Sequence, residues 1–472
     1  MHTVVTGAVM THPNRTDRAR LLVAESAGLL ELVTDPDPTG PPAALRTALR
    51  AWSSVPAGST HHLVLHDDMV LSEGFFDRVR RAVEAAPDAA LALFSFWNSR
   101  NGAAVRLGAL AGARWVPAMN EYTPCTALVL PREIALGYAG YVRAEQESTG
   151  ETWPEDVYMY RYLRSAGVPV LVAVPNLAEH EDLSSLSGNN FQGLRRSACF
   201  VETDPETDED VKLDRPPAVP FFKYGQAQCA VPVANTGRWL NIPCEDYLSG
   251  LGVDIAALRE QLPRGIDPVL AWPLWLTAYA LGVVSEMSVP VGKPDAAVLD
   301  AALATLAPGG LCHSPAAPDL GPAATWLARA GLERGRGDAA TPLRGFDSAR
   351  ADRALTHVAE FDTGEAMLYG PGMPRDTLVG RLLWQALVNR PLRTEEPDRV
   401  VSLLHTSELV AGRPVPGGTR VRVRELAEAI RRTVRPVPWD GEAGTPELDA
   451  AQTAALDFGL HTAAQWLAYE AP

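Results

Sequence analysis

Through its first 200 residues the chain alternates short apolar runs with amphipathic segments, and this alternation restricts the fold more than any other feature. Thr3–Met10 (TVVTGAVM) is an apolar run ending in Thr-His-Pro-Asn-Arg, and Leu29–Val33 is a second, ending in Asp35-Pro36-Asp37-Pro38. Ala43–Trp52 places apolar residues at helical spacing, His62–Leu65 reads as a third strand, and Ala89–Phe96 as a fourth. Between the last two, Phe75–Ala85 has the pattern of a helix, with Ser72 as its expected cap and Glu73 in its first turn. Strand and helix in alternation predict a mostly parallel α/β sheet with helices on both faces.

A length of 472 residues predicts two or three domains. Glu202–Asp214 (ETDPETDEDVKLD) runs into Arg215-Pro216-Pro217, the composition of a solvated linker. The expected division is therefore an N-terminal domain over 1–201, a linker over 202–220 and a second α/β domain over 221–472. That last region shows apolar helices around 269–284 and 295–306, a strand at 400–404 and a helix at 423–432. Its longest uncharged run, Pro268–Val284, is shorter than the roughly 20 residues that cross a bilayer and contains Pro273, so it predicts a buried helix and no transmembrane segment.

A net charge of −15 argues against a general nucleic-acid-binding face. Cys125, Cys199, Cys229, Cys244 and Cys312 stand far apart with no C-x-x-C pair, which argues against a zinc ribbon or a disulfide scaffold and fits a reducing cytoplasm. No signal peptide is expected, because a basic leader is lacking and the first apolar stretch breaks at His12-Pro13.

Chemistry is most legible in His61–Phe76, HHLVLHDDMVLSEGFF. An apolar strand runs straight into His66-Asp67-Asp68, so two adjacent carboxylates stand at a strand's carboxyl end, where open α/β sheets bind ligands. Their repulsion calls for a cation or donor groups, and a divalent metal carrying a diphosphate would serve. The same pair also suits a loop that caps the next helix. A second segment, Thr126–His180, begins with strand Ala127–Leu130 and Pro131-Arg132-Glu133, then Gly140-Tyr141. Glu155-Asp156 opens an amphipathic helix ending in Arg161-Tyr162-Leu163-Arg164-Ser165-Ala166-Gly167, followed by strand Val168–Val174 and then Glu179-His180.

In the order of these pieces residues 3–190 resemble the GT-A glycosyltransferases, most closely the large inverting family that uses nucleotide-sugar donors. The resemblance implies a Rossmann-like GT-A domain that transfers a sugar from a UDP-, GDP- or dTDP-sugar to an acceptor hydroxyl. It implies that Asp67 and Asp68 hold Mn²⁺ or Mg²⁺ against the donor diphosphate, with His180 as a further metal or diphosphate contact. Asp35 would meet the nucleotide base, with Thr11, Pro13 and Arg15 lining the same pocket. Asp156, with Glu155 beside it, would be the general base. Asp35 also suits a plain turn, His180 an acidic surface loop, and Glu155-Asp156 ordinary acids at a helix start. Phe96, Trp97 and Asn98 suit either a sugar platform or the core, and Ser184, Ser185, Ser187 and Gly188 a loop that closes over donor.

The chain departs from that family where its Gly-Gly-Phe turn reads Ala139-Gly140-Tyr141, and where 142–154 forms a longer insertion. These departures favour, as an alternative, a module that binds a nucleotide-sugar or scaffolds a partner without transfer. Residues 367–409 resemble part of the extended short-chain dehydrogenase/epimerases, which would place an NAD(P) activity in the second domain. The Gly-rich loop and the Tyr-x-x-x-Lys pair of those enzymes are both missing. Leu306–Leu311 resembles a loop of Rossmann-type methyltransferases, but Pro-Gly-Gly is weak evidence and an ordinary turn explains it better. A non-catalytic second domain would serve stability, acceptor selection or homo-oligomer formation.

Overall fold

A computed structural model describes residues 3–339 apart from 41–42, 120, 151–153, 182, 184–185, 187–193, 206–209, 214, 224, 233–238, 264–267, 289 and 313–320. The strand at 400–404, the helix at 423–432 and the dehydrogenase-like stretch 367–409 lie outside the described residues, as do Ser184, Ser185, Ser187 and Gly188.

The first part of the chain folds as β1 (Val5–Thr11), a 3-10 turn (Pro13–Arg15), α1 (Thr16–Glu25), β2 (Leu30–Thr34), α2 (Leu45–Ser53), β3 (His61–His66), β4 (Met69–Leu71) and α3 (Phe75–Ala85). It continues through β5 (Ala90–Ala92), α4 (Arg100–Ala111), β6 (Trp115–Pro117), β7 (Ala127–Pro131), α5 (Arg132–Thr149), α6 (Glu155–Ser165), β8 (Val170–Ala173) and β9 (Ala178–His180). Seven strands form one sheet in the order β2-β1-β3-β7-β5-β8-β6. Five of them run in one direction, while β7 and β6 run against them. The domain is thus α/β with a mostly parallel, Rossmann-like sheet.

The apolar runs are continuous because both faces of the sheet are covered. Along β3, Val64 joins the core under α2 and α5 while Leu63 and Leu65 join the core under α3. All three are at most 1% exposed, and burying each contributes about 1.5–3 kcal/mol. Gly7 in β1 lets the backbones of β1 and β3 meet, since a Cβ there would lie 2.4 Å from the Leu63 carbonyl oxygen.

Three local expectations give way to the structure, and one helix was not expected at all. Ser72 does not cap α3: Gly74 takes the N-cap position at φ +63°, and Ser72 Oγ instead accepts a hydrogen bond from buried Arg78. Ala139-Gly140-Tyr141 forms no turn but lies within the 18-residue helix α5, and the end of that helix comes at Gly150, φ +68°. Helix α4 has no counterpart in the sequence pattern, because every one of its residues is buried and no polar face marks the 3.6-residue period. The acidic segment is not wholly solvated. Arg114 and Trp115 donate backbone hydrogen bonds to the Val211 carbonyl, Leu213 is buried, and Asp204 sits among Arg78, Arg81 and Arg114.

Beyond it, β10 (Val219–Lys223), β11 (Gln226–Pro232) and β12 (Trp239–Pro243) form an antiparallel sheet. Helices α7 (Cys244–Gly250), α8 (Ile255–Glu260), α9 (Pro268–Met287), α10 (Ala296–Ala304), α11 (Leu306–Gly310) and α12 (Gly321–Ala339) follow. The uncharged run is the core of α9, and none of the described helices is long and apolar enough to cross a membrane. Pro308-Gly309-Gly310 belongs to α11 rather than to a loop, and Gly310 packs so closely on Phe222 that a Cβ would lie 1.9 Å from its ring. A single hydrophobic core runs from β1 and α4 into α9, α10 and α12. Arg106 of α4 spans that junction, donating to the carbonyls of Trp97 and Ala302 and to Thr305 Oγ1 at 2.9–3.0 Å.

Candidate active site

The strands that run in one direction end along one edge, and that edge gathers the polar residues. At the end of β1, Thr11 Oγ1 donates to Asp67 Oδ2 at 2.7 Å, and the His12 backbone N–H reaches the same oxygen at 3.4 Å. The 3-10 turn that follows is held by His12, whose ring accepts from the Asn14 N–H, and it ends at Arg15. Arg15 Nη1 then lies 2.9 Å from Asp68 Oδ2 and 3.4 Å from Asp67 Oδ1.

His180 arrives through a small two-stranded ribbon. β4 pairs antiparallel with β9, setting Met69 opposite His180 and Leu71 opposite Ala178. The Glu181 N–H closes the ribbon by donating to the Asp68 carbonyl at 2.8 Å. His180 Nε2 thereby stands 3.4 Å from Asp68 Oδ2, and its ring is buried against Phe94 and Phe96. Glu179 turns away and binds Ser197 through both carboxylate oxygens. His180 is therefore no residue of an acidic surface loop.

A second acidic group lies at the start of α6. Glu155 is buried, with Oε2 3.7 Å from His66 Nε2 and Oε1 lacking a hydrogen-bond partner. Burial opposes the charge on His66, but the Glu155 carboxylate outweighs it and raises the imidazole above its ordinary range. Asp156 is half-buried and receives the Val157 N–H at 2.9 Å. Burial, reinforced by the neighbouring Glu155 charge, pushes its carboxyl up to about 6.

Asp35 follows β2, its N–H donating to the Thr11 carbonyl at 2.8 Å. Both its oxygens are gripped by Arg46 of α2, at 2.6 and 2.7 Å, and these hydrogen bonds hold it below the ordinary aspartate range against the effect of burial. Pro13 sits in the 3-10 turn between Thr11 and Arg15. Asn14, Arg15, Asp17 and Arg18, with Glu181, Leu183 and Leu186, line an open cavity of about 390 Å³ beside the carboxylate pair. Trp97 is a core residue packed on Gly309, and Asn98 donates to Cys312 Sγ. Phe96 keeps its ring beside Tyr122 and His180.

All the residues expected at the site thus fall along one edge of the sheet or at its adjoining turns. Two further ones, His66 and Arg46, belong there, while Glu121 supports helix α4. His66 stands inside the His66-Asp67-Asp68 motif, and its position as the last residue of an apolar strand was a usable signal. Arg46 and Glu121 carried none, because their roles depend on tertiary placement. Glu121 is buried and caps α4, accepting from the N–H groups of Arg100 and Asn101 at 2.8 and 3.2 Å.

The donor chemistry suits a hard divalent cation in part. Asp68 Oδ1 is buried and has no hydrogen-bond partner, and carboxylate with imidazole is a ligand set Mn²⁺ accepts. Among the described residues, however, no group of three or more His, Cys, Asp and Glu side chains is placed to hold a metal ion. The remaining ligands would have to come from a bound diphosphate, and Arg15 already contacts both carboxylates.

No protein-family model matches the chain, and no curated protein matches it either.

Proposed function

We propose that this protein is a GT-A glycosyltransferase. It moves a sugar from a UDP-, GDP- or dTDP-sugar to an acceptor hydroxyl, with inversion at the anomeric carbon. One observation carries the reading: a cation-seeking carboxylate pair and a carboxyl raised to about 6 share the ligand-binding edge of one α/β sheet. The first suits a donor diphosphate and the second suits removal of a proton near neutral pH.

In this mechanism the nucleotide lies across Thr11, Pro13 and Arg15, with Asp35 meeting the base through the lone pairs that Arg46 leaves. Asp67 and Asp68, with His180 beside them, would hold a divalent cation only together with oxygens of the donor diphosphate. A divalent cation bound there stabilises the negative charge on the leaving diphosphate. The acceptor oxygen attacks the anomeric carbon from the face opposite the diphosphate, and its proton passes to the Asp156 carboxylate. The bond from the anomeric carbon to the phosphate oxygen breaks, its electrons leaving with the nucleoside diphosphate. Glu155, paired with His66, adds to the negative field that keeps Asp156 basic. A cytoplasmic setting belongs to the same proposal, favoured by five free cysteines.

The test is release of nucleoside diphosphate from a panel of nucleotide-sugars, with water or simple alcohols as acceptor. One donor should be turned over, and Asp156→Asn should slow it about 10²–10⁴-fold. No turnover of any donor that binds would leave a binding module in place of an enzyme. Full turnover by Asp156→Asn would remove Asp156 as the base.

A further inference from the structure

The fold brings two of the chain's five thiols into contact, those of Cys229 and Cys244. Antiparallel pairing sets Cys229 of β11 opposite Ile242 and Gln228 opposite Pro243, which delivers Cys244, the first residue of α7, diagonally beside Cys229. The two sulfurs lie 3.4 Å apart, one thiol donating to the other, and both residues are fully buried in the main core. The other three sulfurs are engaged elsewhere. Cys125 donates to the Thr123 carbonyl and Cys199 to the Val298 carbonyl, while Cys312 accepts from Asn98.

We propose that Cys229 and Cys244 are a reversible redox pair, which a low-molecular-weight disulfide oxidises to a bond tying β11 to α7. The proposal is independent of the glycosyltransferase reading. A disulfide holds its sulfurs about 2.05 Å apart, so the bond asks for an approach of roughly 1.4 Å shared between two rotatable side chains. One Cys thiolate attacks a sulfur of the small disulfide, forming a mixed disulfide and expelling one small thiolate. The second Cys thiolate attacks the protein sulfur of that mixed bond and expels the other. The two protons lost by the cysteines pass to the two released thiolates, so two protein thiols are oxidised as one small disulfide is reduced. Burial, reinforced by the Cys229 thiol, pushes the Cys244 thiol well above its ordinary range, so the exchange begins in a local opening of this region. Because the fold returns the second sulfur to the first, the closing step is intramolecular, at high effective concentration.

The experiment equilibrates the full chain with mixtures of reduced and oxidised glutathione, in urea just below its unfolding transition so that buried thiols open and reclose. Remaining thiols are then counted by alkylation and mass spectrometry. Trypsin cuts after Arg238, so the bond joins peptides 224–238 and 239–259. As oxidised glutathione rises, wild type should fall from five free thiols to three, with those two peptides linked, and dithiothreitol should restore all five. Cys199→Ala should lose the same two thiols, while Cys244→Ala should lose none and form no link. At one glutathione ratio, linked over open protein should be at least about tenfold higher in the folded chain than in fully denaturing urea. Five free thiols persisting in the most oxidising mixture would overturn the proposal, as would a linked fraction no higher folded than unfolded. Links to Cys125, Cys199 or Cys312 in comparable yield, or glutathione left unresolved on Cys229 or Cys244, would overturn it too.

Discussion

Replacing Asp156 by Asn should make the protein more stable at alkaline pH even as it removes the proposed base. The Asp156 carboxyl titrates at about 6 in the fold against 3.8 for an ordinary aspartate. Each pH unit of separation is worth 1.36 kcal/mol, so holding the ionised form costs the native state about 3 kcal/mol. A folded value raised above the unfolded one means that protonation favours the native state. The contribution is fully present below pH 3.8 and is lost as pH rises through about 6. Asn avoids ionisation and still accepts the Val157 N–H. Urea denaturation of wild type and Asp156→Asn should therefore differ by up to about 3 kcal/mol at pH 8, with the variant more stable. The difference should shrink to about half at pH 5. Partial exposure of the side chain lowers the magnitude but not the direction. A variant less stable than wild type at pH 8, or a gain independent of pH, would refute the idea that Asp156 carries a costly half-buried charge.

Three other outcomes follow from the same geometry. Transfer should rise about tenfold per pH unit below pH 6 and level off above it, since only ionised Asp156 accepts a proton; a pH–rate profile checks this. Glu121→Ala should destabilise the protein by about 2–4 kcal/mol, because two buried N–H groups of α4 lose their acceptor, while Glu121→Gln should cost less; denaturant melts compare the two. Gly7→Ala should cost about 1–3 kcal/mol, since its Cβ would press on the Leu63 carbonyl and part β1 from β3; the same melts read it.

Where the sequence was readable, a single physical cause usually lay behind the pattern. Helix α3 was placed to the residue because one apolar face alternates with a charged one. The junction of β3 with Asp67-Asp68 stood out because a strand buried on both faces must end where charge begins. Helix α4 was invisible for the opposite reason: wrapped by the sheet and by β10, α9 and α10, it shows no periodicity. Gly140 suggested a turn although nothing crowds it and no left-handed backbone is needed there, so it sits in α5 as an ordinary helical residue. The union of His180 with Asp68 rests on three-residue strands too short to read, and it came only from resemblance to a family pattern. The grip of Arg46 on Asp35 spans 11 residues of chain and a turn whose path no local rule supplies.

The proposed function requires the Asp67–Asp68 edge to hold a nucleotide-sugar. Thermal unfolding of the full chain with UDP-, GDP- and dTDP-sugars, each with and without Mn²⁺, and with NAD(P) in parallel, tests it most directly. One nucleotide series should raise the melting temperature in step with ligand concentration and more strongly with Mn²⁺, corresponding to about 2.7 kcal/mol at a hundredfold excess over Kd. NAD(P) should leave the melting temperature unchanged. A shift with NAD(P) and none with any nucleotide-sugar would rule out the glycosyltransferase reading.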